Sequence, residues 1–270
     1  DGTSTGPLTL DTGSYTPAEL AAQIQEKINA SEDMQAAGKS VIVTGAASGF
    51  GTAIARKFAN EGAQIICADL NMAGASELAS ELANAVPFEI DVANEQQNKD
   101  MIACAVDHFG KIDVLCCNAG IPHKGNYMIR MPVEDFDKMW AVNVRSIFLA
   151  ARAAVPHMPP GSSIISTAAI GGKRPRPGLV PYNASKAAVI TLTQGMAVEM
   201  APNIRVNCVC PVSSPTNFDF QTMGTQNLSE EMEKKVLETI PMGRRATPED
   251  VADGYAFLAS DEAKFITGTS

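Results

Sequence analysis

The sequence predicts an α/β fold in three layers, with a doubly wound parallel sheet covered by helices on both faces. From Ser40 onward, short apolar runs alternate with amphipathic segments, a pattern typical of such sheets. The chain has 270 residues, of which 45% are hydrophobic, so it can bury one large core. A glycine-rich turn also joins the first apolar run to the first helical segment. Together these observations predict an α/β domain that uses most of the chain.

The apolar runs and the periodic segments between them locate the elements of this fold. Six strands are predicted, at Val41–Thr44, Gln64–Asp69, Pro87–Asp91, Val114–Asn118, Ser163–Thr167 and Ile204–Cys210. Helices are predicted at Gly51–Glu61, Ala73–Ala85, Glu95–Phe109, Val133–Val155, Tyr182–Met200, Ser229–Ile240 and Pro248–Ser260.

Residues 1–33 differ in composition from the rest of the chain. They are rich in Gly, Thr, Ser and Asp at first, and Thr16 followed by Pro17 then predicts the start of a helix. A signal peptide is not predicted, because the segment lacks a basic start and an apolar centre. We therefore expect an extension or fused segment at 1–33 and a catalytic domain at 34–270.

The charge balance excludes several classes of partner. Thirty acidic residues against 21 basic ones give a net charge of −9, and no basic cluster is longer than the Lys173–Arg176 neighbourhood. A groove that follows nucleic-acid phosphates is therefore not expected. The apolar runs fall far short of the roughly 20 residues that a membrane span requires. The sequence predicts a soluble protein that binds neither nucleic acid nor membranes.

The six cysteines predict buried thiols in a reducing cytoplasm. They occur singly or in pairs within apolar segments, without the density of a secreted disulfide scaffold. They also lack the Cys and His spacing of a zinc site, so no metal is expected.

The glycine-rich turn Thr44–Gly51 has the sequence TGAASGFG and lies between a strand and a helix. Glycines let such a turn approach a pyrophosphate, whose charge is met by the N–H groups at the helix start. Asp69 ends the second strand 18 residues after Gly51, where a carboxylate can accept hydrogen bonds from the adenosine ribose. It would repel a 2′-phosphate, so NAD is favoured over NADP. The alternatives are an ordinary turn and a solvated aspartate.

Five motifs occur in the order and spacing of one known family. They are TGAASGFG at 44–51, Asp91-Val92, Cys117-Asn118-Ala119-Gly120, Asn143, and Tyr182-Asn183-Ala184-Ser185-Lys186. From about Gly38 to its last residue, the chain resembles the short-chain dehydrogenase/reductase family. The resemblance implies a Rossmann-like fold and an alcohol dehydrogenase or carbonyl reductase of the EC 1.1.1 type.

The resemblance also implies which residues bind the cofactor. By position, these are Thr44, Gly45, Ser48, Gly49, Phe50 and Gly51 in the turn, Asp69, Asp91 and Val92 around the adenosine, and Asn118, Ala119, Gly120, Tyr182, Lys186, Pro211 and Thr216. Cys117 replaces a more usual Asn, and Val212 stands where the family often has Gly. The path of the loop after Pro211 is therefore an open question.

Tyr182 and Lys186 are the predicted acid–base pair. They are four residues apart and so share one face of a helix. A tyrosine hydroxyl with its ordinary pKa near 10 is a poor base, but a neighbouring ammonium favours the phenolate. By resemblance, Lys186 would also hold the nicotinamide ribose, and Asn143 would help to position a water molecule. An incidental pair on an exposed helix is the alternative interpretation.

Ala169 occupies the position of a serine that the family uses to polarise the substrate carbonyl. It lies 13 residues before Tyr182, and the flanking segment aligns without a gap. A methyl group donates no hydrogen bond, so reduction should be weak while cofactor binding stays intact. Either the serine was deliberately replaced, or this is a natural departure in which Ser166 or Thr167 substitutes. Thr167 lies two residues too early, although on the same side of the strand.

The substrate is predicted only as a secondary alcohol or ketone. Lys173–Val180 and Ser213–Met232 should border it, the second as a lid. Arg174 and Arg176 raise the idea of an anionic substrate, but exposed loop arginines are more often solvated. The apolar helical segments suit assembly into a homo-oligomer, a dimer or tetramer. Two other function classes stay open, namely a catalytically silent NAD-binding protein and a structural or fusion module.

The end of the chain resembles the approach to the family's seventh strand. Phe265–Ser270 matches that approach, and the usual strand sequence does not follow, so a C-terminally truncated domain is expected. Leu8–Gly13 resembles the absent strand. One hypothesis is that this leading segment replaces it beside Ile204–Cys210.

Overall fold

The computed structural model describes residues 36–216, 218, 222 and 228–270 and contains a six-stranded parallel sheet. The strands are β1 (Ser40–Thr44), β2 (Gln64–Asp69), β3 (Ala85–Glu89), β4 (Val114–Cys117), β5 (Ser162–Thr167) and β6 (Ile204–Val209). Their order across the sheet is β3-β2-β1-β4-β5-β6. The predicted α/β class and the six strands are thus confirmed. The segment 1–33, including Leu8–Gly13, lies outside the described residues.

Helices cover both faces of this sheet. They are α1 (Gly49–Asn60), α2 (Met72–Glu81), α3 (Glu95–Phe109), α4 (Val133–Trp140), α5 (Ser146–Ala154), α6 (Ile170–Lys173), α7 (Val180–Met200), α8 (Glu230–Leu237) and α9 (Pro248–Ala259). One apolar cluster joins the sheet to α3, α5 and α7, and a second joins the opposite face to α1, α2 and α9. This arrangement gives the three predicted layers.

Three predicted elements are corrected by the structure, and one of them is the helix predicted at Ala73–Ala85, which ends at Glu81 because Ala85 belongs to β3. The helix expected at Val133–Val155 is interrupted by a π-helical turn at Ala141–Arg145, where Asn143 bonds to the backbone of Ile121. The third strand starts at Ala85 rather than Pro87, because its register with β2 begins at that residue. The proline is tolerated because β3 is an edge strand, where a missing N–H donor costs little.

The strand order places an opening at the centre of the sheet. The connection after β1 leads to β2 on one side, whereas the other neighbour of β1 is β4. Helices on either side therefore diverge at the carboxyl ends of β1 and β4, which is where ligands bind in sheets of this kind.

The edge beside β6 is paired with the last residues of the chain. The Gly268 N–H donates to the Val206 carbonyl (2.8 Å), and the Cys208 N–H donates to the Thr269 carbonyl (3.0 Å). The Asn207 side chain accepts from the Thr269 N–H (3.1 Å). Residues 267–269 thus already run along the position expected for a seventh strand.

Candidate active site

A cleft of about 670 Å³ opens at the carboxyl ends of the strands. It brings together most of the predicted site residues. Those that line it are Gly45, Ser48, Gly49, Phe50, Asp69, Asp91, Val92, Asn118, Ala119, Gly120, Ala169, Tyr182, Pro211 and Thr216. The other four, Thr44, Gly51, Asn143 and Lys186, are not in its lining. Thr44, Asn143 and Lys186 form the hydrogen bonds described below, which hold the cleft wall.

The glycine-rich turn has the backbone that close approach to a ligand requires. Gly45 and Gly49 have φ values of +68° and +55°, which favour glycine. A Cβ on Gly51 would overlap the Gly45 carbonyl oxygen, so a larger residue would push α1 off the turn. Ser48 makes no side-chain cap, and the first turn of α1 contains no acidic residue. The start of this helix can therefore receive an anion.

Asp69 lies at the end of β2 beside this turn. One carboxylate oxygen accepts from the Ala47 N–H (2.9 Å), and the other accepts from the Asn71 N–H (2.8 Å). The two bonds fix the carboxylate while leaving lone pairs toward the cleft. Asp91, at the next strand end, accepts from the Ala93 N–H (2.9 Å) in the same way.

Asn118 ties three strand ends together behind the cleft. Its side-chain amide donates to the carbonyl of Thr44 (3.1 Å), and its amide oxygen accepts from the Thr167 hydroxyl (3.0 Å). The Thr167 hydroxyl also bonds the hydroxyl of Tyr255 (2.7 Å), a fully buried residue of α9. The Thr44 hydroxyl in turn accepts from the backbone N–H groups of Asn118 (3.0 Å) and Ala119 (3.1 Å). This network fixes the cleft wall between β1 and β5.

Tyr182 and Lys186 lie on the first turns of α7 and face each other. The Lys186 Nζ is 5.8 Å from the centre of the Tyr182 ring and donates to the Thr167 carbonyl (2.7 Å). Burial raises the pKa of Tyr182 and lowers the pKa of Lys186 to about 8. Burial thus makes the phenol a weaker acid, whereas a positive charge beside it would favour the phenolate.

Asn143 lies at the centre of the π-helical turn and is buried. Its amide oxygen accepts from the Ile121 N–H (2.8 Å), and its amide nitrogen donates to the Ile121 carbonyl (2.9 Å). A third bond reaches the Ser185 hydroxyl (3.3 Å) on α7. The side chain therefore links the segment after β4 to the helix that carries Tyr182. π-Helical turns of this kind are frequent at functional sites.

Ala169 lines the cleft just before α6, in extended backbone, with only a methyl group. Neither neighbouring hydroxyl takes its place. Ser166 is fully buried and lies against the thiol of Cys117. Burial raises the pKa of this thiol to about 12, and Ser166 offsets only part of that rise. The Thr167 hydroxyl is held by Asn118 and Tyr255. The cleft wall therefore has a methyl group at position 169.

The segment after β6 reaches over the cleft. The Pro211 carbonyl accepts from the Ile170 N–H (3.1 Å), and the Thr216 methyl group lies 3.6 Å from where a Cβ on Gly49 would be. The ring of Phe218 is 5.2 Å from that of Tyr182. Residues 217, 219–221 and 223–227 of the predicted lid lie outside the described part.

Sequence reasoning missed two contributors to this site. Tyr255 and Phe218 are not predicted as site residues, because nothing in their local sequence indicates contact with residues far away in the chain.

Within the described ranges, no three His, Cys, Asp or Glu side chains cluster as metal ligands would. The described helices also include none that is long and apolar enough to cross a membrane.

Comparison with known sequences gives consistent results over most of the chain. A family model described as enoyl-(acyl carrier protein) reductase matches residues 45–270. The 4-formylbenzenesulfonate dehydrogenase TsaC1/TsaC2 of Comamonas testosteroni is 38% identical over 234 residues, which are 84% of this chain and 92% of that protein. The 3-oxoacyl-[acyl-carrier-protein] reductase FabG of Thermotoga maritima is 37% identical over 242 residues, 87% of this chain and 96% of that protein.

Solved structures with the same fold contain either dinucleotide. A 3-ketoacyl-(acyl-carrier-protein) reductase from Brucella melitensis complexed with NADH matches with a TM-score of 0.80 and 36% identity. A short-chain dehydrogenase from Burkholderia cenocepacia in complex with NADP matches with a TM-score of 0.79 and 29% identity. Each match covers 87% of this chain and 96% of the other.

Proposed function

Because the chain belongs to the short-chain dehydrogenase/reductase family, we propose that it is an NAD(H)-dependent oxidoreductase that interconverts a secondary alcohol and a ketone. The observation that carries the proposal is the shared cleft. Tyr182 opens on the same cavity as the glycine-rich turn and Asp69. A proton-transferring hydroxyl and a dinucleotide site in one cavity are what such a reaction needs.

The residues of the cleft fit a dinucleotide. The positive φ values at Gly45 and Gly49 and the uncapped start of α1 suit a pyrophosphate. The fixed carboxylate of Asp69 suits the two ribose hydroxyls and repels a phosphate at the 2′ position. These features support NAD in preference to NADP.

Tyr182 moves the proton in this proposal. When bound, the nicotinamide supplies or accepts the hydride. In ketone reduction, the Tyr182 Oη gives its proton to the substrate oxygen, and in alcohol oxidation it takes that proton back. Lys186 lies 5.8 Å from the ring centre, and its ammonium stabilises the phenolate. Asn143 holds the Ile121 segment against α7 and so fixes the distance across the cleft.

Titration of NADH fluorescence tests the cofactor assignment. NADH should bind at least tenfold more tightly than NADPH. Replacing Asp69 by Asn keeps an acceptor for the Ala47 N–H but removes the charge, so NADH should bind about 10-fold more weakly and the preference over NADPH should largely disappear. Glu77→Gln, which removes an exposed carboxylate of α2 outside the cleft, is the matched control. A wild-type protein that binds no NADH would contradict the proposal, and an unchanged preference in Asp69→Asn would contradict the role of Asp69.

A second candidate function is NAD binding without efficient turnover. It is favoured by one observation, the methyl group of Ala169 at the cleft position where the family has its serine. An engineered serine-to-alanine variant would have the same properties. Both possibilities keep the cofactor site and differ from the main proposal only in the rate of the chemical step.

We also propose that the protein is a homo-oligomer assembled through α4, α5 and α7. Phe136, Phe148 and Val198 project from these helices, and Phe148 and Val198 are 49% and 81% exposed. Large apolar side chains on neighbouring helices are typical of subunit interfaces. Phe148→Glu should lower the mass measured by light scattering, whereas Met242→Glu, an equally drastic change outside these helices, should not. A monomeric wild-type protein would contradict this proposal.

A further inference from the structure

The segment between α6 and α7 carries two arginines, and only one of them faces the cleft. Arg176 lines the cavity, whereas Arg174 does not. The Arg176 carbonyl accepts a hydrogen bond (3.0 Å) from the side chain of Asn183, a buried residue that directly follows Tyr182. The position of Arg176 is therefore fixed to the turn of helix that carries the proton-transferring hydroxyl.

A second contact holds the same segment across the cleft. The Asn126 N–H donates to the carbonyl of Gly178 (3.0 Å), whose φ is +78°. Asn126 belongs to the loop that follows the Asn118–Gly120 motif on the other side of the cavity. These two anchors fix the backbone at residues 176–178, so the exposed side chain of Arg176 starts from a fixed point at the rim of the cleft.

The guanidinium of Arg176 keeps most of its donors free of the described protein atoms. Its one side-chain hydrogen bond runs to the Thr239 hydroxyl at 3.4 Å, and no described carboxylate forms an ion pair with it. Among the described residues that line the cleft, the only acidic ones are Asp69 and Asp91, which belong to the strand ends of the adenosine side. The wall beside Tyr182 thus carries a positive charge without a described counter-charge.

We propose that Arg176 recognises a carboxylate on the substrate, so that the preferred substrates are oxo acids or hydroxy acids rather than neutral ketones or alcohols. This inference rests on the proposed function and names the substrate class of the same site. A guanidinium presents paired N–H donors that match the two oxygens of a carboxylate. A carboxylate held by Arg176 in the cleft that Tyr182 also lines would orient the substrate carbonyl toward the Tyr182 Oη.

The test compares matched ketones, one with a carboxylate and the other with a neutral group in its place. In the Ala169→Ser protein with NADH, 4-acetylbenzoate and its neutral analogue 4-acetylbenzamide are reduced in parallel, together with levulinate and methyl levulinate. We expect kcat/KM to be at least 10-fold higher for the carboxylates. Arg176→Met should lower kcat/KM for the carboxylates by about 10- to 100-fold, mainly through KM, and change the neutral compounds less than twofold. Arg174→Met is the matched control and should change neither.

Binding calorimetry gives a readout that does not need turnover. With NADH present, 4-acetylbenzoate should bind the wild-type chain and should bind Arg176→Met at least 10-fold more weakly. The proposal is overturned if the acid and the amide behave alike, if Arg176→Met weakens both equally, or if 4-acetylbenzoate does not bind. A protein that binds the acid through Arg176 but reduces no ketone would contradict the oxidoreductase proposal alone. Equal reduction of acid and amide would contradict this inference alone.

Discussion

Replacing Ala169 by serine should raise the rate of ketone reduction by about 100- to 1000-fold, with little change in the affinity for NADH. A single hydrogen-bond donor to the developing oxyanion is worth about that factor in enzymes where it has been removed. Ala169 lines the same cavity as Tyr182, so a hydroxyl on its Cβ would reach the space that the substrate carbonyl occupies. The measurement is NADH consumption with the ketone panel described above.

The neighbouring residue provides a matched control for this gain. Ala168 borders the same cleft, but it is almost fully buried and packs in the apolar core between the sheet and α7. A serine there adds the same hydroxyl one residue away, toward the core, and should give no increase. Ser166 and Thr167 offer no natural replacement, because one is buried against Cys117 and the other is bonded to Asn118 and Tyr255. If Ala169→Ser binds NADH and gains no activity, the position is not the vacant catalytic one.

The fold could be predicted because its determinants are local. Every strand except the edge strand β3 is a short apolar run that is largely buried, and the helices that cover the sheet have an apolar side, so both kinds of pattern are visible in the sequence. The π-helical turn at Ala141–Arg145 could not be predicted in this way. It depends on the bonds between Asn143 and Ile121, which are 22 residues apart. The boundary of β3 likewise depends on its register with β2 rather than on the position of Pro87.

In the candidate site, too, the features set by local sequence could be predicted and the long-range contacts could not. The glycine-rich turn and the pair Tyr182 and Lys186 were predicted, because in each case the spacing within one turn or one helix determines the geometry. The bond between Thr167 and Tyr255 joins residues 88 positions apart, and no local pattern indicates it. The same holds for the contact of Phe218 with the Tyr182 ring. Tertiary contacts decide which polar groups are already satisfied and which stay available to a substrate.

Replacing Tyr182 by phenylalanine should abolish most of the oxidoreductase activity. In the Ala169→Ser protein, we expect kcat to fall by about 100- to 10,000-fold, the range that a positioned acid–base group contributes. Phenylalanine keeps the packing against Phe218, so NADH affinity should weaken several-fold at most. Tyr127→Phe, at a tyrosine that is 70% exposed, is the matched control and should leave kcat unchanged. A Tyr182→Phe protein that keeps a tenth of the activity would exclude this hydroxyl as the proton donor.

The pH dependence of the reverse reaction separates proton transfer from a loss of packing. Alcohol oxidation needs the Tyr182 hydroxyl deprotonated, and burial raises its pKa, so the rate should rise with pH in the serine variant. Lys186 opposes this rise in pKa only while it is charged, and burial lowers its own pKa to about 8. In Lys186→Met the ammonium is absent at every pH, so the rate should fall mainly below about pH 8, where Lys186 is charged, and should approach that of the parent protein above it. In Tyr182→Phe the rise in rate should disappear. A structural role for Tyr182 would lower the rate equally at every pH, because no titrating group would then be lost from the chemical step.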